Sequence, residues 1–187
     1  MKSSLINMVM VLMLITLIAS SAVGVVYQLT EEPIEKARNE KITNAIKEVL
    51  PSDSGSVSEG VKIEKDGGEM VVYTATKDGE VTGYAIQTFS KEGYGGEIKL
   101  LIGFLPDGTI NKSAVISHKE TPGLGDKIDK SKSNFSLQFE GKNPETFKLG
   151  VKKDGKGDVD AITASTISSR AYVDAVSRAY ELVKEQK

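Results

Sequence analysis

Between Asp160 and Arg170 the chain reads Asp-Ala-Ile-Thr-Ala-Ser-Thr-Ile-Ser-Ser-Arg, which gathers the hydroxyls of Thr163, Ser165, Thr166, Ser168 and Ser169 in one short run. From Ile167 onward, Val173, Val176, Tyr180 and Val183 recur at helical spacing, with Arg170, Asp174, Arg178 and Lys184 between them. That pattern predicts an amphipathic helix running to the C-terminus. The start of such a helix exposes unpaired backbone N–H groups and the positive end of the macrodipole, and so makes a natural seat for a phosphate. The same residues serve a plainer purpose, because Ser165 or Thr163 would cap the helix in the usual way. Local chemistry leaves both readings open.

A second stretch, Ser117-His118-Lys119-Glu120-Thr121-Pro122-Gly123-Leu124-Gly125, closes a strand and turns. Pro122 fixes φ and removes a donor, Gly123 and Gly125 permit close backbone approach, and Leu124 offers one apolar side chain on an exposed loop. This is either a tight turn with a core-facing Leu or a loop lying along a flat ring. His118 is the only histidine. It makes neither a zinc site, which takes several Cys or His ligands, nor a Ser-His-Asp hydrolase, for which a Gly-x-Ser-x-Gly elbow is missing. A hydrogen bond from a strand end to the following loop is its expected role. Gly93, Gly95 and Gly96 precede a strand-like run, Ile98 to Ile102, rather than a helix, so they are a bulge or a close approach and not a dinucleotide fingerprint.

The hydroxyl run resembles the attachment motif of the FMN-binding, membrane-anchored subunits of the Rnf and Na⁺-translocating NADH:quinone reductase complexes. That motif is an aspartate, a small residue, an aliphatic, Ser or Thr, Gly, Ala and Thr. Ala164 stands here where Gly is usual, and Ser165 where Ala is usual. Tyr94 to Ile98 and Glu120 to Gly125 resemble further signatures of the same family, and the length fits the G subunit of the Rnf type. The resemblance implies that Thr166 carries FMN as a phosphoester, and that Thr163 and Ser165 lie beside the attachment point. It implies that Glu120, Thr121, Gly123 and Leu124 border the cofactor, and that Asp160 serves recognition by a flavin transferase. It implies no catalytic residue of the chain's own, no metal and no independent substrate site. The partners would be other membrane subunits of an ion-translocating complex, together with the flavin transferase. The alternatives are a related FMN carrier of a Na⁺-translocating NADH:quinone reductase or of an extracellular electron-transfer chain, and a cofactor-free tethered binding domain.

No residue from Leu5 to Leu29 is charged, and about 20 apolar residues suffice to cross the hydrocarbon core. The run outlasts a typical signal-peptide core, although Ala19-Ser20-Ser21-Ala22 resembles a cleavage site. Lys2 precedes it and Glu31-Glu32 follow. This charge bias predicts a retained single-pass anchor in the cytoplasmic (inner) membrane, with the domain on the extracytoplasmic side. The 187 residues leave room for one globular domain besides. With 24 basic against 26 acidic residues there is no nucleic-acid surface, and the absence of cysteine excludes disulfides and Cys-ligated clusters.

Pro33 to Leu50 shows helical spacing, with Pro33 suited to a first turn. Pro51 to Ser56 reads as a link. Strands are expected over Val61–Glu64, Met70–Thr76, Val81–Thr88, Ile98–Leu105 and Thr109–Ser117. They are punctuated by Asp66-Gly67, Asp78-Gly79 and Asp107-Gly108, with weaker strands over Asn134–Phe139 and Thr146–Leu149. Consecutive hairpins make an antiparallel sheet. The expected architecture is α+β: an N-terminal transmembrane helix, then a twisted antiparallel sheet with flanking helices. The expected divisions are 1–30 for the N-terminus and anchor, 31–58 for a juxtamembrane helix and linker, and 59–187 for the FMN-binding domain.

Overall fold

The computed structural model describes residues 2–186; Met1 and Lys187, the outer limits of the expected divisions, lie outside them. The chain divides into two compact units, residues 1–41 and 42–187. The described residues of the first unit are helical throughout. Helix α1 runs unbroken from Lys2 to Val49 and is, among the described residues, the one helix long and apolar enough to cross a membrane. Its apolar side chains from Leu5 to Leu29 are exposed all round, as expected for a helix whose solvent is lipid. Thr16 and Thr30 turn their hydroxyls back onto the carbonyls of Leu12 (3.0 Å) and Val26 (2.8 Å), so these two bring no unsatisfied donor into an apolar surrounding. Pro33 does not open a second helix; it sits inside α1. There it loses the bond to the carbonyl four residues back and its ring crowds that carbonyl, a cost of about 3 kcal/mol that the helix absorbs.

The second unit is built on an antiparallel sheet. Its strands are β1 (Ser56–Val57), β2 (Val61–Lys65), β3 (Gly68–Lys77), β4 (Glu80–Gly93), β5 (Gly96–Phe104) and β6 (Ile110–Ser117). The order is β1-β3-β4-β5-β6, with β2 also pairing with β3. Two hairpins owe their tightness to Asp-Gly pairs with positive φ at both positions, 52° and 74° at Asp66-Gly67 and 53° and 86° at Asp78-Gly79. These are the mirror-image turns whose twist matches that of the flanking strands. β1, which begins on the last residue of the expected link, is a two-residue edge strand with too little pattern to be read.

Alternation along the strands supplies two cores. Ile86, Leu100 and Ile102 face helix α2 (Thr166–Gln186) and pack with Tyr172, Val176, Ala179 and Val183. Ala85, Leu101 and Ile116 point the other way and pack with Ala45, Val49 and Leu50. The sheet is therefore covered on both faces, which explains why Tyr84 to Ser90 is buried without a break. A Cβ at Gly103 would lie 2.0 Å from the Val49 carbonyl oxygen, which also accepts the Asn111 amide at 2.7 Å.

The weaker strands do not form. Phe135–Phe139 is a 3₁₀ turn, and residues 146–149 make turns and irregular chain. Local hydrogen bonds win there: Ser133 Oγ accepts the Phe135 N–H at 3.1 Å and Asn143 Oδ1 accepts the Glu145 N–H at 2.9 Å. The apolar residues still serve the core, with Phe135 and Phe139 packing on Tyr172 at ring-centre distances of 5.3 and 5.1 Å. Burial raises the Tyr172 hydroxyl pKa against the opposing effect of its hydrogen bond to Ser113.

Candidate functional site

Helix α2 begins at Thr166, and the geometry of its start follows from the residues before it. Asp160 is fixed through its backbone by Gln138, which accepts its N–H at 2.8 Å and donates to its carbonyl at 3.1 Å. Ser169 Oγ accepts the Ile162 N–H at 2.9 Å and donates to the Ser165 carbonyl at 3.0 Å. Ala164 is forced to a φ of 62° to complete the turn. The first backbone bond of the helix runs from Ser169 N–H to Ser165 O at 3.1 Å. The N–H groups of Thr166, Ile167 and Ser168 therefore have no intrahelical acceptor.

Ser165 and Ser168 do not point outward. Both are buried, their Oγ atoms lie 2.8 Å apart, and the Ser168 hydroxyl donates to Glu120 Oε2. Glu120 Oε1 accepts the Gly95 N–H at 3.0 Å, and the Glu120 N–H is in turn held by His118 Nδ1 at 3.1 Å. His118 thus ties the end of β6 to the following loop, and this bond fixes its tautomer with the proton on Nε2. Thr166 is different: it is half-buried, and its hydroxyl has no hydrogen-bond partner among the described residues.

Above this network lies a concavity of about 550 Å³. One side is lined by Tyr94, Glu120, Thr121, Leu124 and Gly125, and the other by Ala164, Ser165, Thr166, Ile167 and Ser168. Its rim is apolar and open, with Tyr94 72%, Leu124 43% and Ile167 46% exposed. Beside the segment that leads into α2, Lys152 Nζ meets Asp160 Oδ2 at 2.7 Å, and Arg170 grips Asp154 with two bonds of 2.7 Å. The guanidinium holds the Asp154 carboxyl below its usual range.

Residues 93–181 match the model of the FMN-binding domain. The chain is 34% identical over 190 residues to the G subunit of the ion-translocating oxidoreductase complex from Vibrio cholerae serotype O1, covering 95% of this chain and 90% of that one. It is 36% identical over 186 residues to the protein of the same name from Vibrio atlanticus, covering 94% and 88%. Against the Shewanella baltica protein it is 35% identical over 190 residues, covering 96% and 89%. The chain belongs to the family of Rnf-type G subunits.

Within this Rnf-type chain, Glu120, Thr121, Leu124, Ser165 and Thr166 come together around one concavity. Thr163, Gly123 and Asp160 lie outside its lining, on exposed chain. Gly123 is needed for its φ of 79° rather than for room, since nothing lies within 4 Å of a Cβ there. Gly125 is needed for room. Sequence reasoning singled out Gly125 for close approach, which the structure bears out, but gave Ser168 no role in the site. The signal for Ser168 was present, because it stands three residues after Ser165, where a side chain at the third helical position faces the cap. No local pattern announces that a glutamate 48 positions earlier closes onto it.

The residues suit FMN. A volume of about 550 Å³ falls within the roughly 300–1,000 Å³ of small-molecule sites. The unpaired N–H groups of the first helical turn suit a phosphate, and Tyr94, Leu124 and Ile167 give a planar ring apolar surface.

Proposed function

We propose that this chain is an electron-transferring flavoprotein subunit of an Rnf-type ion-translocating membrane complex, with FMN bound as a phosphoester on Thr166. The observation that carries this reading is the Thr166 side chain. It is a hydroxyl with no hydrogen bond among the described residues, on the first turn of α2, lining the concavity opposite Leu124. Its partners would be other membrane subunits of that complex, in keeping with the names of its relatives, and a flavin transferase.

Bound FMN supplies the redox chemistry; the protein supplies attachment, orientation and electrostatics. The first-turn N–H groups of α2 stabilise the phosphodiester anion at Thr166. Leu124 and Tyr94 cover the ring and limit water at its faces. Asp160, exposed and fixed only through its backbone and Lys152, presents a carboxylate to the transferase. Attachment forms a bond from Thr166 Oγ1 to the flavin phosphorus and releases the hydroxyl proton. A flavin phosphoanhydride donor loses its other phosphate as the leaving group. Helix α1 anchors the domain as a single pass, with the domain on the outer face of the cytoplasmic membrane, a reading supported by the uncharged run from Leu5 to Leu29.

The test is in-gel flavin fluorescence after denaturation, on full-length chain co-expressed with a flavin transferase. Thr166→Ala abolishes the signal, whereas Ser165→Ala retains it. Fluorescence that survives in Thr166→Ala refutes the assignment.

A further inference from the structure

The floor of the concavity is organised around a carboxylate whose two oxygens are both committed. Glu120 is 5% exposed; Oε1 accepts the Gly95 N–H at 3.0 Å and Oε2 accepts the Ser168 hydroxyl. A carboxylate only accepts, and a serine has one proton to give. Ser168 gives its proton to Glu120, so Ser165, 2.8 Å away, must be the donor to Ser168. The chain of hydrogen bonds runs in one direction, from Ser165 through Ser168 to Glu120. Two glycines leave it space: a Cβ at Gly125 would lie 2.3 Å from Glu120 Oε2 and 2.6 Å from Ser168 Oγ, and one at Gly93 would lie 2.6 Å from Glu120 Oε1. The chain also ties three separate segments together, namely the β4–β5 turn, the 120–125 loop and the start of α2.

We propose that this directed chain selects the attachment residue. It pins the Ser165 hydroxyl away from an incoming flavin phosphate and holds the 120–125 loop against the helix start, leaving Thr166 to react. The inference rests on the reading of Thr166 as the attachment point. In the transfer, a hydroxyl oxygen bonds to the flavin phosphorus, the phosphoanhydride bond on the far side of that phosphorus breaks, and the hydroxyl proton departs. No electron changes hands. The oxygen must meet the phosphorus in line with the leaving group. Both residues line the concavity, but Ser165 Oγ is held by Ser168 in a residue 8% exposed and is denied that approach, while Thr166 is half-buried and unanchored. Glu120 and Ser168 are thus positioning residues for the attachment. Glu120 acts through Ser168 rather than on the ring.

Full-length chain co-expressed with a flavin transferase tests this, by mapping flavin within the tryptic peptide Gly157–Arg170, whose fragments separate Ser165 from Thr166. Ser168→Ala removes the middle of the chain. Glu120→Gln keeps its shape but turns it round, because the amide nitrogen donates to Ser168, which then donates to Ser165. In each variant the ratio of Ser165-linked to Thr166-linked flavin rises by up to about tenfold, the equilibrium weight of one neutral hydrogen bond such as that from Ser165 to Ser168. Ser168→Thr, which keeps the hydroxyl, restores the wild-type ratio. Should Ser168→Ala fail to fold, the isosteric Glu120→Gln decides alone. An unchanged ratio in folded Glu120→Gln overturns the proposal. Wild-type protein without covalent flavin would refute the attachment reading instead, so the two failures are distinguishable.

Discussion

The two walls of the concavity are built on different principles. On the helix side, the three buried hydroxyls near the α2 start are all engaged, Ser165 with Ser168, Ser168 with Glu120, and Ser169 with both Ile162 and Ser165, while Thr163, on exposed chain, and Thr166 have no side-chain hydrogen bond among the described residues. On the loop side, residues 121–124 are exposed and held by a few long backbone bonds, such as Leu124 N–H to Thr121 O at 3.2 Å and Asp126 N–H to Thr121 O at 3.4 Å. The first wall is over-determined and the second is adaptable. A group attached at the first wall is fixed in place, whereas its ring environment is set by the second. Changes at the helix wall should therefore decide whether flavin is bound, and changes at the loop wall how it behaves.

The largest expected effect is the complete loss of covalent flavin in Thr166→Ala. Next is Gly125→Ala, at the seam between the walls. Its new Cβ would lie 2.3 Å from Glu120 Oε2 and 2.6 Å from Ser168 Oγ, atoms already fixed by hydrogen bonds. Overpacking of this kind costs about 1–3 kcal/mol. A lowered denaturation midpoint together with reduced flavin loading is expected; a variant matching the wild type in both would mean that the seam yields freely.

Leu124→Ala sharpens the contrast from the other wall. Loading stays complete, because neither the acceptor nor its network is touched, while the visible spectrum and midpoint potential of the flavin shift as ring packing is lost. A redox titration identical to the wild type would remove Leu124 from the ring.

Ala164→Gly should stabilise the domain. Ala164 sits at a φ of 62°, where a Cβ costs about 1–2 kcal/mol and glycine nothing, although glycine gives back about 0.5–1 kcal/mol in unfolded-chain entropy. The net gain of about 0.5–1 kcal/mol raises the melting temperature by a few degrees, and a fall would show that the turn is not strained.

The smallest effect is electrostatic. The Arg170 guanidinium depresses the Asp154 carboxyl, so the pair stabilises the fold at pH values above the ordinary Asp value of 3.8 and loses that contribution as pH falls through the depressed value. The stability gap between wild type and Arg170→Ala should be present at neutral pH and close in acid. A gap constant down to the depressed value and beyond would detach it from this pair.

Much of the scaffold was legible because its signals are local. Asp-Gly pairs marked the hairpins, period-two alternation marked β3 to β6, and helical spacing marked α2 within one residue of its start. Phe135 to Phe139 misled because the same apolar spacing serves a 3₁₀ turn once Ser133 offers the backbone a competing acceptor. Pro33 misled because it is equally at home in a first turn and tolerable within a long helix. In the site, the helix-start side of the concavity was readable from its hydroxyls, and Leu124 on the other side from its place between glycines. The inward turn of Glu120 was not readable. It depends on Gly95 and Ser168, which come from opposite ends of the domain and meet only when the sheet and α2 pack.

Tandem mass spectrometry of the wild-type tryptic peptide Gly157–Arg170, from full-length chain co-expressed with a flavin transferase, tests the central claim most directly. The account predicts a peptide heavier by one FMN less one water, with the added mass on Thr166. A peptide of unmodified mass, or one with the flavin on Thr163, would contradict it.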